Sequence, residues 1–120
     1  MTSNESRHHW FLTELCLAQN LKKIGIDPDE VLLIIKEPEI YDRGRQQQAP
    51  DILILTRNHQ WFVVELKGCK RKKAKALSQI HSGFRFLRTL GIRHIIGKFV
   101  IYDHHQGYKY ENIQEQLEML

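Results

Sequence analysis

The chain is poor in cysteine, and the two it has, Cys16 and Cys69, lie far apart and match no metal-ligand spacing. Neither a zinc site nor a disulfide framework is expected, so a reducing cytoplasm, of a cell or of a virus-infected host cell, is the default compartment. No apolar run approaches the ~20 residues that cross a bilayer, which argues against a membrane partner. Residues 1–12 lack a cationic segment followed by a long apolar one, so no signal peptide is expected. A glycine-rich phosphate loop, a Ser-His-Asp arrangement and a dinucleotide fingerprint are all missing. Kinase, serine-hydrolase and dehydrogenase chemistry therefore have no support. Without an internal repeat, a low-complexity tract or a Pro/Gly/Ser linker, residues 1–120 read as a single domain.

What is there is an ordinary globular composition, 42% hydrophobic and 27% charged, with a net charge of +4. The isoelectric point near 9.2 favours a polyanionic partner. Helical periodicity runs over residues 4–23 and stops at Gly25. Branched residues predict a strand at 31–35, and a polar stretch at 37–49 reads as the most mobile loop. Two further strands, 51–56 and 60–66, flank Arg57-Asn58-His59 and predict a hairpin. A helix at 70–90 closed by Gly91, a strand at 94–102 and a short C-terminal helix at 112–120 complete the order. Segments 52–55 and 62–64 are apolar on both faces, so the expected architecture is α/β, a mixed sheet flanked by helices.

The hairpin carries the chemistry. Pro50-Asp51 opens one strand and Glu65-Leu66-Lys67 closes its partner, which brings Asp51 near Glu65 and Lys67. Glu65 and Lys67, two apart, project from one sheet face. Asp51 joins them if the loop holds an odd number of residues, pairing 51 with 65 or 67, or if an irregularity near Pro50 re-aims it. Two close carboxylates repel, and a hard divalent cation such as Mg²⁺ relieves the repulsion. It would also lower the pKa of a bound water and neutralise charge on a phosphate, with Lys67 holding a water or a phosphate oxygen. Five cations in six residues follow, Lys70, Arg71, Lys72, Lys73 and Lys75, and could track a phosphate backbone. Arg43, Arg45, Arg85 and Arg88 are candidates for the same surface. Nothing resembles a base-reading helix, so recognition of backbone and shape is expected.

Pro50-Asp51, thirteen intervening residues and Glu65-Leu66-Lys67 resemble the signature of the PD-(D/E)xK phosphodiesterases, whose common core is αβββαβ. The resemblance implies a restriction-endonuclease-like fold and a Mg²⁺- or Mn²⁺-dependent endonuclease acting on DNA. It assigns the metal to Asp51 and Glu65, helped by the Leu66 carbonyl, and makes Lys67 the residue that orients or activates water. The family often adds an acid from the first helix. On a helical wheel Glu14 falls among Trp10, Phe11, Leu17, Ala18 and Leu21, so it is the candidate for that third acid. Gln79 matches a glutamine that several branches carry on the helix after the lysine. Some viral members use a first-helix histidine on the metal, a part open to His8 or His9.

In size and layout the chain resembles the small resolvase-type members, which act on branched DNA as dimers, and this implies a homodimer. It departs from them before Asp51, where Asp42-Arg43-Gly44-Arg45 and three glutamines replace a small Gly/Ser segment. An RNA endonuclease and a non-catalytic nucleic-acid-binding domain on a nuclease scaffold remain open. Taken singly, each residue has an ordinary reading: Asp51 as a turn residue, Glu65 with Lys67 as a surface pair, Gln79 as a helix-edge amide. Their conjunction in this element order is what points to chemistry.

Overall fold

The computed structural model describes residues 3–103 and 105–115. Helix α1 (Ser3–Leu15) and the short α2 (Ala18–Lys23) precede strand β1 (Val31–Lys36). A small hairpin, β2 (Tyr41–Asp42) and β3 (Arg45–Gln46), interrupts the chain before β4 (Ile52–Thr56) and β5 (Trp61–Lys67). Helix α3 (Lys73–Thr89) then leads to β6 (Ile95–Asp103) and β7 (Gly107–Gln114). Five strands form one mixed sheet in the order β1-β4-β5-β6-β7, with β5 and β6 parallel across α3 and every other neighbour antiparallel.

Both faces of this sheet are covered, as the doubly apolar central strands require. Phe11, Leu12 and Leu15 of α1 and Leu21 of α2 pack with Ile52, Ile54, Val64, Leu66 and Val100 on one face. Ala76, Ile80, Phe84 and Leu87 of α3, an i, i+4, i+8, i+11 stripe, pack with Leu53, Val63, Ile95 and Phe99 on the other. Helix α3 sits very close to the sheet because Gly83 has no side chain. A Cβ there would lie 2.6 Å from Val63 Cγ1 and 3.1 Å from Pro50 Cγ.

Three expectations change. The helix at 4–23 is broken: Cys16 N and Leu17 N bond to Thr13 and Glu14 carbonyls in tight terminal turns, and α2 starts afresh. The loop at 37–49 is partly ordered, since Arg43 (φ 52) and Gly44 (φ 80) form a two-residue turn that pairs Asp42 with Arg45. Positive φ at both positions is the hairpin-type turn, and glycine supplies the second at little cost. The C-terminal helix at 112–120 is not formed where its residues are described. Residues 112–114 continue β7, because backbone pairing with β6 from Gly107 to Gln114 overrides the helical propensity of Gln and Glu. Residues 116–120 lie outside the described chain.

No helix among the described residues is long and apolar enough to cross a membrane. One buried cation was not anticipated. Lys98, 3% exposed on the α1 face, donates to Asn112 Oδ1 at 2.7 Å and stands 4.4 Å from the Tyr110 ring. Burial pushes its pKa down to about 8.

Candidate functional site

The β4–β5 turn sets the geometry. Thr56 N donates to the Gln60 carbonyl at 3.0 Å, leaving a three-residue loop with His59 at φ 64. The ladder pairs Ile52 with Val64 and Leu53 with Val63, so its continuation sets Asp51 opposite Glu65. This is one of the two registers that the odd loop allows. It turns Glu65 and Lys67 to the α3 face, while Asp51, one residue before β4, holds its carboxylate within reach of both Leu66 N and His8 of α1.

Hydrogen bonds lock the pair. Asp51 N donates to Glu65 Oε1 at 3.0 Å, and Leu66 N donates to Asp51 Oδ2 at 2.8 Å. A strand residue directs its N–H and C=O to the same side, so the Leu66 carbonyl faces the gap beside Asp51. Glu65 Oε2 stands 2.8 Å from Lys67 Nζ, an ion-pair distance without hydrogen-bond alignment. The side chain of Glu65 is 1% exposed, against 14% for Asp51 and 12% for Lys67. Burial, then the charge of Asp51, pushes the Glu65 carboxyl up to about 8 despite the pull of Lys67.

The first helix contributes a residue other than the acid expected from it. His8 Nε2 lies 3.2 Å from Asp51 Oδ1, and this hydrogen bond, followed by the charges of Asp51 and Glu65, raises the imidazole pKa against burial. Glu14 is half-buried elsewhere: its carbonyl accepts from Asn20 Nδ2 at 2.6 Å, and its charge acts on Tyr108. The correction has a simple cause. A wheel drawn through residue 21 merges two helices, whereas the stripe of α1 alone is His8, Phe11, Leu12 and Leu15, roughly 110° from Glu14 at 100° per residue. Trp10 and Leu17, which that wheel sets beside Glu14, are 55% and 45% exposed. His9 faces Glu37 at 3.5 Å.

Gln79 reaches the neighbourhood of the pair. Its Nε2 donates to the Ala49 carbonyl at 3.4 Å, and its buried Oε1 has no hydrogen-bond partner among the described residues. Ser78 Oγ donates to Gln48 Oε1 at 2.7 Å and Ser82 Oγ to the Gln48 carbonyl. Helix α3 thus holds the two residues before Pro50-Asp51 in place. Ser78 and Ser82 were not singled out in the sequence, where serines at i and i+4 on a helix carry no distinctive signal.

Of the cations, Lys70, Arg71, Lys72 and Lys75 are exposed at the start of α3, and Arg43 and Arg45 on the β2–β3 hairpin. Lys73 is tied to Glu111, and Arg88 is held by Glu115. Among the described residues no three His, Cys, Asp or Glu side chains are grouped to hold a metal by themselves. Mg²⁺ needs less, since it is commonly held by one or two carboxylates with waters and phosphate oxygens filling the octahedron. A carboxyl pair in which burial, and then the neighbouring charge, makes Glu65 retain its proton, beside the Leu66 carbonyl, is a donor set that fits such an ion. Comparison with protein-family models, curated proteins and solved structures found no match to this chain.

Proposed function

We propose that the chain is a divalent-metal-dependent nuclease with a restriction-endonuclease-like core, hydrolysing phosphodiester bonds in nucleic acid, with DNA the favoured substrate. The observation that carries this reading is the carboxylate pair itself, Asp51 bonded to the backbone of Leu66 and Glu65 to the backbone of Asp51, with Lys67 2.8 Å away. The fold supports it: α1, β1, β4, β5, α3 and β6 follow the αβββαβ order, with the β2–β3 hairpin and β7 as additions.

Asp51, Glu65 and the Leu66 carbonyl would hold Mg²⁺ or Mn²⁺, which when bound activates water and neutralises charge on the phosphate. Lys67 orients the attacking water or a phosphate oxygen. His8 fixes the Asp51 carboxylate at Oδ1, the oxygen that Leu66 N does not use. Gln79 and Ser82 act on Asp51 through the backbone carbonyls of Ala49 and Gln48, and Ser78 through the Gln48 side chain. Lys70, Arg71, Lys72 and Lys75 supply charge for the nucleic-acid backbone.

The test is cleavage of supercoiled plasmid, a four-way DNA junction and a structured RNA with Mg²⁺ or Mn²⁺. Lys67→Ala should lose more than ~100-fold in rate and His8→Ala about 10–100-fold, as supporting residues of metal sites do. Glu14→Gln should stay close to wild type. Preferred cutting of RNA would move the substrate from DNA to RNA. No cutting of any substrate, together with no Mn²⁺ binding, would leave a non-catalytic scaffold in place of the enzyme.

A further inference from the structure

The sheet face that carries Glu65 and Lys67 also holds a pocket of about 310 Å³. Its position follows from strand register. Glu65 pairs with Phe99 and Lys67 with Ile101, while Phe99 pairs with Glu111 and Ile101 with Lys109. Residues directly opposite share a face, so two rows cross three strands: Glu65, Phe99, Glu111 and Lys67, Ile101, Lys109. Neighbouring strands lie about 4.8 Å apart, which sets the pocket roughly 5–10 Å from Glu65 and Lys67.

Half-buried Ile101, with Phe99 only 2% exposed beside it, gives the pocket a small apolar floor, and Lys70, Lys73 and Lys109 give it a cationic rim. Lys73 is already committed, its Nζ 2.8 Å from each carboxylate oxygen of Glu111. Lys70 and Lys109 form no ion pair among the described residues. The volume sits at the lower end of small-ligand sites. A free phosphate would make no use of the floor, and an apolar ligand would leave two ammonium groups unmatched. A nucleotide satisfies both.

We propose that this pocket receives an unpaired nucleotide next to the scissile phosphate, its base packed chiefly on Ile101 and its phosphate on Lys70 and Lys109. The substrate is then single-stranded or locally unpaired nucleic acid, an assignment that rests on the nuclease reading above. Lysine acts as a point charge toward phosphate. An apolar floor accepts any base, so selection is for the unpaired state and not for sequence. A base stacked within a duplex cannot enter unless it is extruded.

The experiment is fluorescence anisotropy in EDTA, where nothing is cut, with labelled oligothymidylate, its duplex with oligoadenylate, an abasic strand of equal length and oligouridylate. Wild type should bind either single strand more tightly than the duplex or the abasic strand. Ile101→Trp, which fills the pocket, should erase that preference and leave duplex binding unchanged. The surface double variant Lys70→Glu/Lys109→Glu should weaken single-strand binding roughly tenfold or more, and lower the salt slope by about two if each lysine meets one phosphate. Circular dichroism checks that each variant is folded. Equal binding of single strand and duplex, or full single-strand affinity in both pocket variants, would overturn the pocket and leave the nuclease site standing. Failure of folded wild type to bind any of the four would likewise overturn the pocket, whereas the nuclease reading stands or falls on the cleavage assay with metal.

Discussion

Glu65→Gln is expected to abolish metal-dependent cleavage and, in the same protein, to raise stability at neutral and alkaline pH. The first effect follows from charge: a carboxamide is a poor ligand for a hard cation, so the rate should fall by more than ~100-fold. The second follows from burial. The Glu65 carboxyl ionises near 4.5 when unfolded and is raised to about 8 when folded. Between those values the unfolded chain releases a proton that the folded chain keeps, so stability falls as pH rises through this window. Whatever the neutral carboxyl contributes is fully present below pH 4.5 and lost by about pH 8. Over that span the loss is on the order of a few kcal/mol. Glutamine, neutral throughout, escapes it. Urea denaturation in EDTA at pH 5 and pH 8 should show the two proteins converging at the lower pH and the variant ahead at the higher. A gap that does not change with pH would refute the assignment of a proton to Glu65.

Asp51→Ala and Asp51→Asn should both stop cleavage and should differ in stability. Asp51 Oδ2 is the acceptor for the Leu66 N–H, and Leu66 is fully buried. Alanine leaves that amide unpaired, at a cost of about 1–3 kcal/mol. Asparagine keeps an acceptor oxygen in the same position and should retain most of that stability. Either substitution also removes the negative charge that pushes Glu65 upward, so the alkaline loss of stability should shrink in both. Equal stability of the two variants would mean that the Asp51–Leu66 bond contributes nothing. Retained Mn²⁺ binding in Asp51→Asn would exclude Asp51 as a ligand.

The sequence displayed the hairpin and its charged ends because every signal there is local. The strands stop at Thr56 and resume at Gln60, and the three residues between them, Arg57, Asn58 and His59, set Asp51 opposite Glu65. Helix α3 was equally legible, bracketed by the cation run and by Gly91. His8 was harder to see, since its face depends on where α1 ends, and the break at Cys16 has neither proline nor glycine to announce it. The β2–β3 turn places Arg43 at positive φ, a conformation that arginine seldom adopts, so the stretch read as loop. For β7 the local signal pointed the wrong way. Asn112 to Gln114 look helical, and only pairing with a strand already in the sheet makes them extended.

Strand β7 is fastened to α3 at both ends of the helix, by Lys73 to Glu111 at its first residue and by Arg88 to Glu115 near its last. Residues from Lys109 to Asn112 are exposed, so beyond the ladder with β6 apolar burial holds the strand only near its ends, at Tyr108 and Ile113. Such a strand is the first to open when native structure fluctuates. Its amides should exchange with deuterium well before those of β4 and β5, and sooner still in high salt, which screens exposed ion pairs. Because Lys109 and Glu111 line the pocket on this face, opening of this strand should widen that pocket, and salt that loosens the one should loosen the other.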